Sequence, residues 1–376
     1  MRKVIIIHKN TIEKEPPTQM VIQHLRDLGV EVTVITLGLN EFWKDRFRKI
    51  NVNYIELNLG SFVDLEKRSL FVKLKTWYKY RKAVLAHLWN KENTNALIWF
   101  VDADSLAPLL FSSLPNKLSY VMHILEMYDH SKFYRYVINK YVKKAKRLIV
   151  CEEIRAAIFN VWFQPKKIPL VLPNKPYSLE ENSLALNFLK NHQPELYHQI
   201  VNLKRKVILY QGLVSPERDL SFILKAVNKL GEEYVPVIMG RDYGMIEKYK
   251  KQCPSLIHIS FIPSPQHLYI TSLANIGILM YDPISLNQIF CAPNKIFEYS
   301  GYGIPMIGNN IPGLKIPFEK YNCGRIFDNG NIDELCQNIL EINENHEQFS
   351  KNAIRLYNSV DNKAFLKSVL EELDYS

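Results

Sequence analysis

The sequence predicts an α/β chain of two doubly wound, Rossmann-like domains, and three observations predict it. Short apolar runs ending at a polar residue or a glycine recur along the chain, at residues 4–8, 31–37, 96–101, 207–212 and 235–240, with helical patterns between them. The continuous run at 4–8 suits a strand buried on both faces of a parallel sheet. At 376 residues the chain is longer than one hydrophobic core usually spans. A proline-rich stretch, 165–176, which includes Pro173 and Pro176, interrupts the alternation near the middle and is the expected hinge. The implied organisation is a first domain over 1–172, a polar helical connector over 173–206, a second domain over 207–358 and a closing amphipathic helix over 359–376.

In chain order, residues 4–8 form the first strand, a helix follows near Thr18 to Leu28 and closes at Gly29, and 31–37 form the next strand, completing a βαβ unit. The loop between them, His8-Lys9-Asn10 followed by Pro16-Pro17, lacks the glycines of a phosphate-cradling turn. The strand at 96–101 carries Asp102 and Asp104 at its carboxyl end, where ligands of open α/β sheets gather, although Asp104 or Ser105 can equally start a helix. His123 directly follows the next strand, with Glu126 the nearest acid, and reads either as a site histidine or as a structural one. Glu152 and Glu153 suit the first turn of a helix, where carboxylates are favoured by its dipole.

Charge is divided unevenly. Residues 1–176 hold 29 Lys and Arg against 16 Asp and Glu, whereas 177–376 hold 19 against 22. A uniformly basic nucleic-acid binder is not built this way and no nucleic-acid motif is present, so no nucleic-acid partner is expected. Three stretches of the basic half, FWKDRFRKI (42–50), FVKLKTWYKYRKAVLAHLW (71–89) and KYVKKAKR (140–147), mix basic residues with aromatic or apolar ones at helical spacing. Each reads as a helix on an anionic membrane surface or as a helix with an aromatic core face and a solvated basic one. The five cysteines, Cys151, Cys253, Cys291, Cys323 and Cys336, have no metal-ligand or CxxC spacing and read as reduced thiols. With no run of apolar residues long enough to span a bilayer and no signal-peptide pattern, the expected location is cytoplasmic, peripheral on the inner face of a membrane.

In the second half, 207–212 is a strand stopping at Gly212, followed by Leu213 and then by Arg218-Asp219. Arg218 can grip a phosphate, or pair with Glu217 or Asp219 at a helix start. The strand at 235–240 leads to Arg241, that at 256–262 to Ile262 and Pro263, and that at 276–281 ends in Tyr281-Asp282-Pro283 ahead of Ser285. Residues 291–313, CAPNKIFEYSGYGIPMIGNNIPG, have the grammar of a turn, a helix opened by Pro293-Asn294 and ended by Gly301 and Gly303, a short strand, and a turn at Pro312-Gly313. That arrangement presents free backbone N–H groups at a helix N-terminus, with Glu298 about one turn further in. Lys295, near the same helix face, either meets a phosphate or snorkels along the surface.

The run Pro293-Asn294-Lys295-x-x-Glu298-Tyr299, followed by Gly303-x-Pro305 and Gly313, resembles the nucleotide-sugar motif of glycosyltransferase family 4. Members of that family are retaining enzymes of the GT-B fold, two Rossmann-like domains facing across a cleft. The resemblance implies a nucleotide-diphosphate-sugar donor, with a UDP-sugar favoured, held by Gly212, Arg218, Arg241, Ile262, Tyr281, Ser285, Asn294, Lys295 and Glu298. Glu298 would take the donor ribose hydroxyls, Arg218 and Lys295 would neutralise the departing diphosphate, and His123 would lie near the donor sugar. The acceptor side would comprise His123, Glu126, Asp102 and Asp104, and the last helix would cross back to the first domain. The family pattern has an acid where this chain has Phe290, and commonly an Arg directly after the glycine where this chain has Leu213. The implied activity is a hexosyltransferase that needs no metal and no cofactor, acting on a glycan or lipid-linked acceptor in envelope polysaccharide synthesis. A silent nucleotide-sugar-binding subunit and a GT-B sugar-nucleotide epimerase are the alternatives.

Overall fold

The structure, a computed structural model, describes residues 3–59, 70–114, 118–216 and 218–374. It divides into two compact units, Met1–Tyr177 with Asp361–Ser376, and Ser178–Val360.

The first unit holds a seven-stranded parallel sheet of order β3-β2-β1-β4-β5-β6-β7, with β1 Lys3–Thr11, β2 Glu31–Gly38, β3 Asn53–Glu56, β4 Leu97–Val101, β5 Ser119–Ile124, β6 Arg147–Val150 and β7 Leu170–Val171. Val4 to Ile7 are at most 1% exposed, as two covered faces require. The helix Pro16–Asp27 begins two residues before the sequence expectation because its prolines occupy the first turn, where no N–H is needed, and Gly29 at φ +75° ends it. The last helix, Asn362–Asp374, belongs to this unit: Leu366, Val369 and Leu370 join Met20 and Val21 in its core, and Glu372 accepts hydrogen bonds from Arg147 (2.6 Å) and Lys167 (2.7 Å). His123 lies inside β5, paired with Val101 and Ile149, and not after the strand as the sequence reading has it.

The second unit holds a six-stranded parallel sheet of order β10-β9-β8-β11-β12-β13, with β8 Lys206–Gln211, β9 Tyr234–Met239, β10 Ile257–Ile259, β11 Ile276–Leu279, β12 Met306–Asn309 and β13 Gly324–Phe327. Successive residues of β8 serve opposite cores. Ile208 and Tyr210 pack with the helices Ser221–Leu230 and Ile332–Glu344, while Val207 and Leu209 pack with Asn294–Gly301 and Pro312–Tyr321. Residues 182–202, read from sequence as part of a connector, are helical and belong to this unit, with Leu189 fully buried and Phe188 stacked on Tyr269 at 5.1 Å. Pro312-Gly313 is also not a turn. It opens the helix Pro312–Tyr321, and Gly313 is required because a Cβ there would collide with the backbone of Cys291. Among the described residues, no helix is long and apolar enough to cross a membrane.

Candidate functional site

Strand order in the second sheet reverses between β8 and β11, so the chain leaves their carboxyl ends in opposite directions and opens a crevice there. Gln211 ends β8, and Gly212 follows. A Cβ on Gly240, whose φ is +156°, would overlap the Gly212 carbonyl oxygen, so the loops after β8 and β9 meet backbone to backbone. Gly212 N–H donates to Met239 O at 3.0 Å, and Val214 N–H to Arg241 O at 3.1 Å. β11 ends at Leu279, and Tyr281 just beyond it is fixed by a two-way amide exchange with Asn309 of β12 (3.1 and 2.7 Å).

Four of the expected residues converge on this point. The Arg218 guanidinium lies 5.0 Å from the centre of the Tyr281 ring. Burial works against its charge, but the Tyr210 and Tyr281 hydroxyls and Asp282 hold its pKa above the ordinary value. The alternative of a helix-start pair with Asp219 is not seen among the described residues: the Asp219 carboxylate accepts Ser221 N–H at 3.0 Å and Ser221 O–H at 2.6 Å just ahead of the helix Ser221–Leu230 and faces Lys248 at 4.0 Å, while Glu217 lies outside those residues. The Tyr281 phenol is raised mainly by burial, with Cys291 and Glu298 adding to the rise and Arg218 opposing it. Lys295 stands in the first turn of the helix Asn294–Gly301 and has no ion pair or hydrogen bond among the described residues.

Glu298 is 2% exposed. Its carboxylate accepts a hydrogen bond from Gln211 Nε2 and faces His267 Nε2 at 3.3 Å. Burial alone would raise its pKa, but His267, Lys295 and the Gln211 amide together hold it below the usual glutamate value, so the side chain is ionised at neutral pH. The next residue fixes the helix rotation that aims it: Tyr299 is fully buried, donates to Leu209 O at 3.0 Å and lies flush against Gly277, where a Cβ would strike its ring. Gln211 and His267 escape sequence reasoning, although Gln211 at a strand end beside a glycine is a usable signal.

The other expected donor residues lie around this cluster without bonding to it. Ser285 Oγ accepts Gln288 N–H at 3.2 Å and so caps a short helix, Leu286–Ile289. Arg241 is exposed, Ile262 is half-buried on the apolar core, and Asn294 is the first residue of the Asn294–Gly301 helix.

In the first unit, the candidate acceptor-side residues are placed differently. Asp102 adopts φ +59°, and its carboxylate accepts Leu125 N–H at 2.8 Å and Glu126 N–H at 3.3 Å, which uses it as a tie between β4 and the end of β5. His123 is fully buried and edge-on to Trp99, with neither ring nitrogen hydrogen-bonded among the described residues; burial pushes its pKa down to about 3. Lys9, 1% exposed, points over the Trp77 ring at 5.0 Å. Burial lowers its pKa to about 8, and the nearby Asp104 limits the drop. Glu126 is exposed. Among the described residues, no group of three or more His, Cys, Asp or Glu side chains is placed to hold a metal ion.

No family model matches the chain. No curated protein matches it in sequence. Its architecture is nevertheless shared with solved structures over the full length. Sucrose-phosphate synthase from Thermosynechococcus elongatus aligns with TM-score 0.69 and 13% identity, and HepE from Anabaena in complex with UDP-glucose with TM-score 0.70 and 12% identity, each covering 100% of both chains. The lipopolysaccharide outer core galactosyltransferase WaaB aligns with TM-score 0.62 and 13% identity, over 98% of this chain and 99% of that one. The chain has the GT-B fold. Within this GT-B chain, the expected donor-side residues that come together at a strand-order reversal, Arg218, Tyr281, Lys295 and Glu298, belong to the second unit.

Proposed function

We propose that the chain is a retaining glycosyltransferase that holds a nucleotide-diphosphate-sugar, a UDP-sugar by preference, at the end of the second sheet. The observation that carries this reading is the buried, ionised Glu298 at the β8/β11 reversal, with Lys295 acting on it and Arg218 over the ring of Tyr281 at the end of β11. A carboxylate fixed in that way suits a vicinal diol, and the two cations suit a diphosphate. HepE, which shares the fold, is known in complexes with UDP and UDP-glucose, which supports the choice of donor.

In this reading the glycosidic carbon–oxygen bond to the diphosphate breaks first. Arg218, Lys295 and the N-terminal dipole of the helix Asn294–Gly301 stabilise the charge left on the phosphate. The freed phosphate oxygen takes the proton of the incoming acceptor hydroxyl as the new glycosidic bond forms on the same face, so no separate base is needed and the hexose keeps its configuration. His123, sealed in β5, has no part in this scheme. Phe290 and Leu213, which stand where the family pattern has an acid and an arginine, leave the donor sugar held by fewer charged groups.

A lipid-linked or membrane-associated glycan, as in envelope polysaccharide synthesis, is the proposed acceptor, and it draws support from one of the three basic stretches. On the helix Leu70–Leu88, Phe71, Leu74 and Tyr78 are exposed together with Lys75, Lys79 and Lys82, a face suited to the inner, anionic surface of a membrane. The other two stretches are used internally. Trp43 and Phe47 are buried in the core, Arg46 donates to Gln23 at 3.0 Å, Lys140 and Lys143 donate to Leu110 O and Gln164 O, and Arg147 pairs with Glu372.

Calorimetric titration of UDP-glucose and other UDP-sugars, followed by product analysis with glycan and lipid-linked acceptors, tests the reading. Binding with transfer supports it. Binding without transfer to any acceptor favours a silent subunit, and turnover of the donor alone to its epimer favours an epimerase.

A further inference from the structure

The buried network behind Glu298 has a direction. Thr271 O–H donates to Gln211 Oε1 at 2.8 Å, which fixes the Gln211 amide so that its Nε2 faces Glu298 and donates to it. On the other side, His267 Nε2 stands 3.3 Å from the second carboxylate oxygen. A carboxylate can only accept, so the ring nitrogen facing it carries the proton. The far nitrogen, Nδ1, is buried and has no hydrogen-bond partner among the described residues, so Glu298 is the ring's only polar anchor there. His267 and Thr271 sit one helical turn apart, at the start and end of the short helix Leu268–Thr271, and clamp Gln211 of β8 and Glu298 of the Asn294–Gly301 helix together. The donors of Gln211 and His267 point at Glu298, and that of Thr271 points at Gln211 behind it. A carboxylate has about four lone-pair directions. The network occupies two of them, one on each oxygen, and so leaves one on each oxygen for a ligand's two hydroxyls.

We infer that His267 is a positioning residue for the donor pentose: by donating to one oxygen of Glu298, while Gln211 holds the other, it sets the carboxylate plane that receives the ribose 2′- and 3′-hydroxyls. The inference rests on the proposed donor site and deepens it. It makes the discrimination between a ribose and a deoxygenated pentose depend on a residue that does not touch the ligand.

The test uses the full-length protein with UDP and 2′,3′-dideoxy-UDP as probes, titrated into the wild type, E298Q, H267A and H267Q. The wild type is expected to prefer UDP. H267A should lose about tenfold in UDP affinity, as expected for a hydrogen bond to a charged group, and leave dideoxy-UDP affinity unchanged. H267Q, whose amide nitrogen reaches the Nε2 position, should recover most of the preference. If H267A does not fold, H267N, too short to reach Glu298, takes its place beside H267Q. Equal weakening for both nucleotides, or no change for either, overturns the inference. If E298Q removes the preference while H267A keeps it, the donor reading stands and the inference fails. If the wild type does not bind UDP, or E298Q binds both probes as the wild type does, both fail.

Discussion

The two sheets share the strand order of a doubly wound core and reverse direction at equivalent places, between β1 and β4 in one and between β8 and β11 in the other. Both reversals carry ionisable residues at strand ends, yet they use them in opposite ways. In the first unit, Asp102 is consumed by the Leu125 and Glu126 amides, and Lys9 is enclosed by Trp77 and Tyr80 with Asp104 near by. In the second unit, the buried network ends on one ionised carboxylate, while Lys295 near it and Arg218 over Tyr281 remain half-exposed. A repeated fold therefore does not imply a repeated site. What separates the two is whether the polar groups at the reversal are satisfied by the chain itself or left for a ligand.

Substitutions at the two reversals should break or sharpen this contrast. The largest effect is expected at the second. Arg218→Ala should lower transfer kcat by about 10²–10³-fold, the usual loss for one preorganised donor to a developing charge, with thermal stability little changed. An unaltered kcat would remove Arg218 from the diphosphate reading.

At the first reversal the expected effects are on stability. Lys9 has a folded-state pKa of about 8 against 10.5 in the unfolded chain. Between these values the unfolded chain binds a proton that the folded chain has released, so this group makes stability rise as pH increases from 8 to 10.5. The rise amounts to roughly 3 kcal/mol. It should be missing from Lys9→Met when urea unfolding of the two proteins is compared across that range. Identical slopes would show that the lysine is solvated. In the second sheet, Gly240→Ala should cost about 1–3 kcal/mol, because the new Cβ forces the β8 and β9 loops apart, and should also weaken UDP binding; calorimetric unfolding and nucleotide titration check both. The smallest effect is expected at Asp102. Alanine there should cost about 1–2 kcal/mol by leaving two amides unpaired, whereas asparagine, which still accepts from them, should stay within about 0.5 kcal/mol of the wild type in chemical denaturation.

How much was legible in the sequence follows from how local each signal is. A parallel strand covered on both faces is legible where its run is continuously apolar, as at Val4 to Ile7. The Pro293 to Glu298 stretch was legible because proline, a helix start and a carboxylate one turn later all lie within it. The fold alone supplies the rest. Gln211 and Glu298 meet across 87 residues of chain, and nothing near either one announces the other. Trp43 and Phe47 share a pattern with Phe71 and Tyr78, but only packing decides that the first pair is core and the second pair is exposed. Pro312-Gly313 has the look of a turn in the sequence, whereas the lack of a side chain at Gly313 serves close approach to Cys291 within a helix.

A crystal structure of the chain grown with UDP measures the central claim most directly. The account predicts density beyond the carboxyl ends of β8 and β11, with both ribose hydroxyls within hydrogen-bond distance of Glu298 and the diphosphate against Arg218 and Lys295. Density beyond β1 and β4, or a ribose turned away from Glu298, would contradict it.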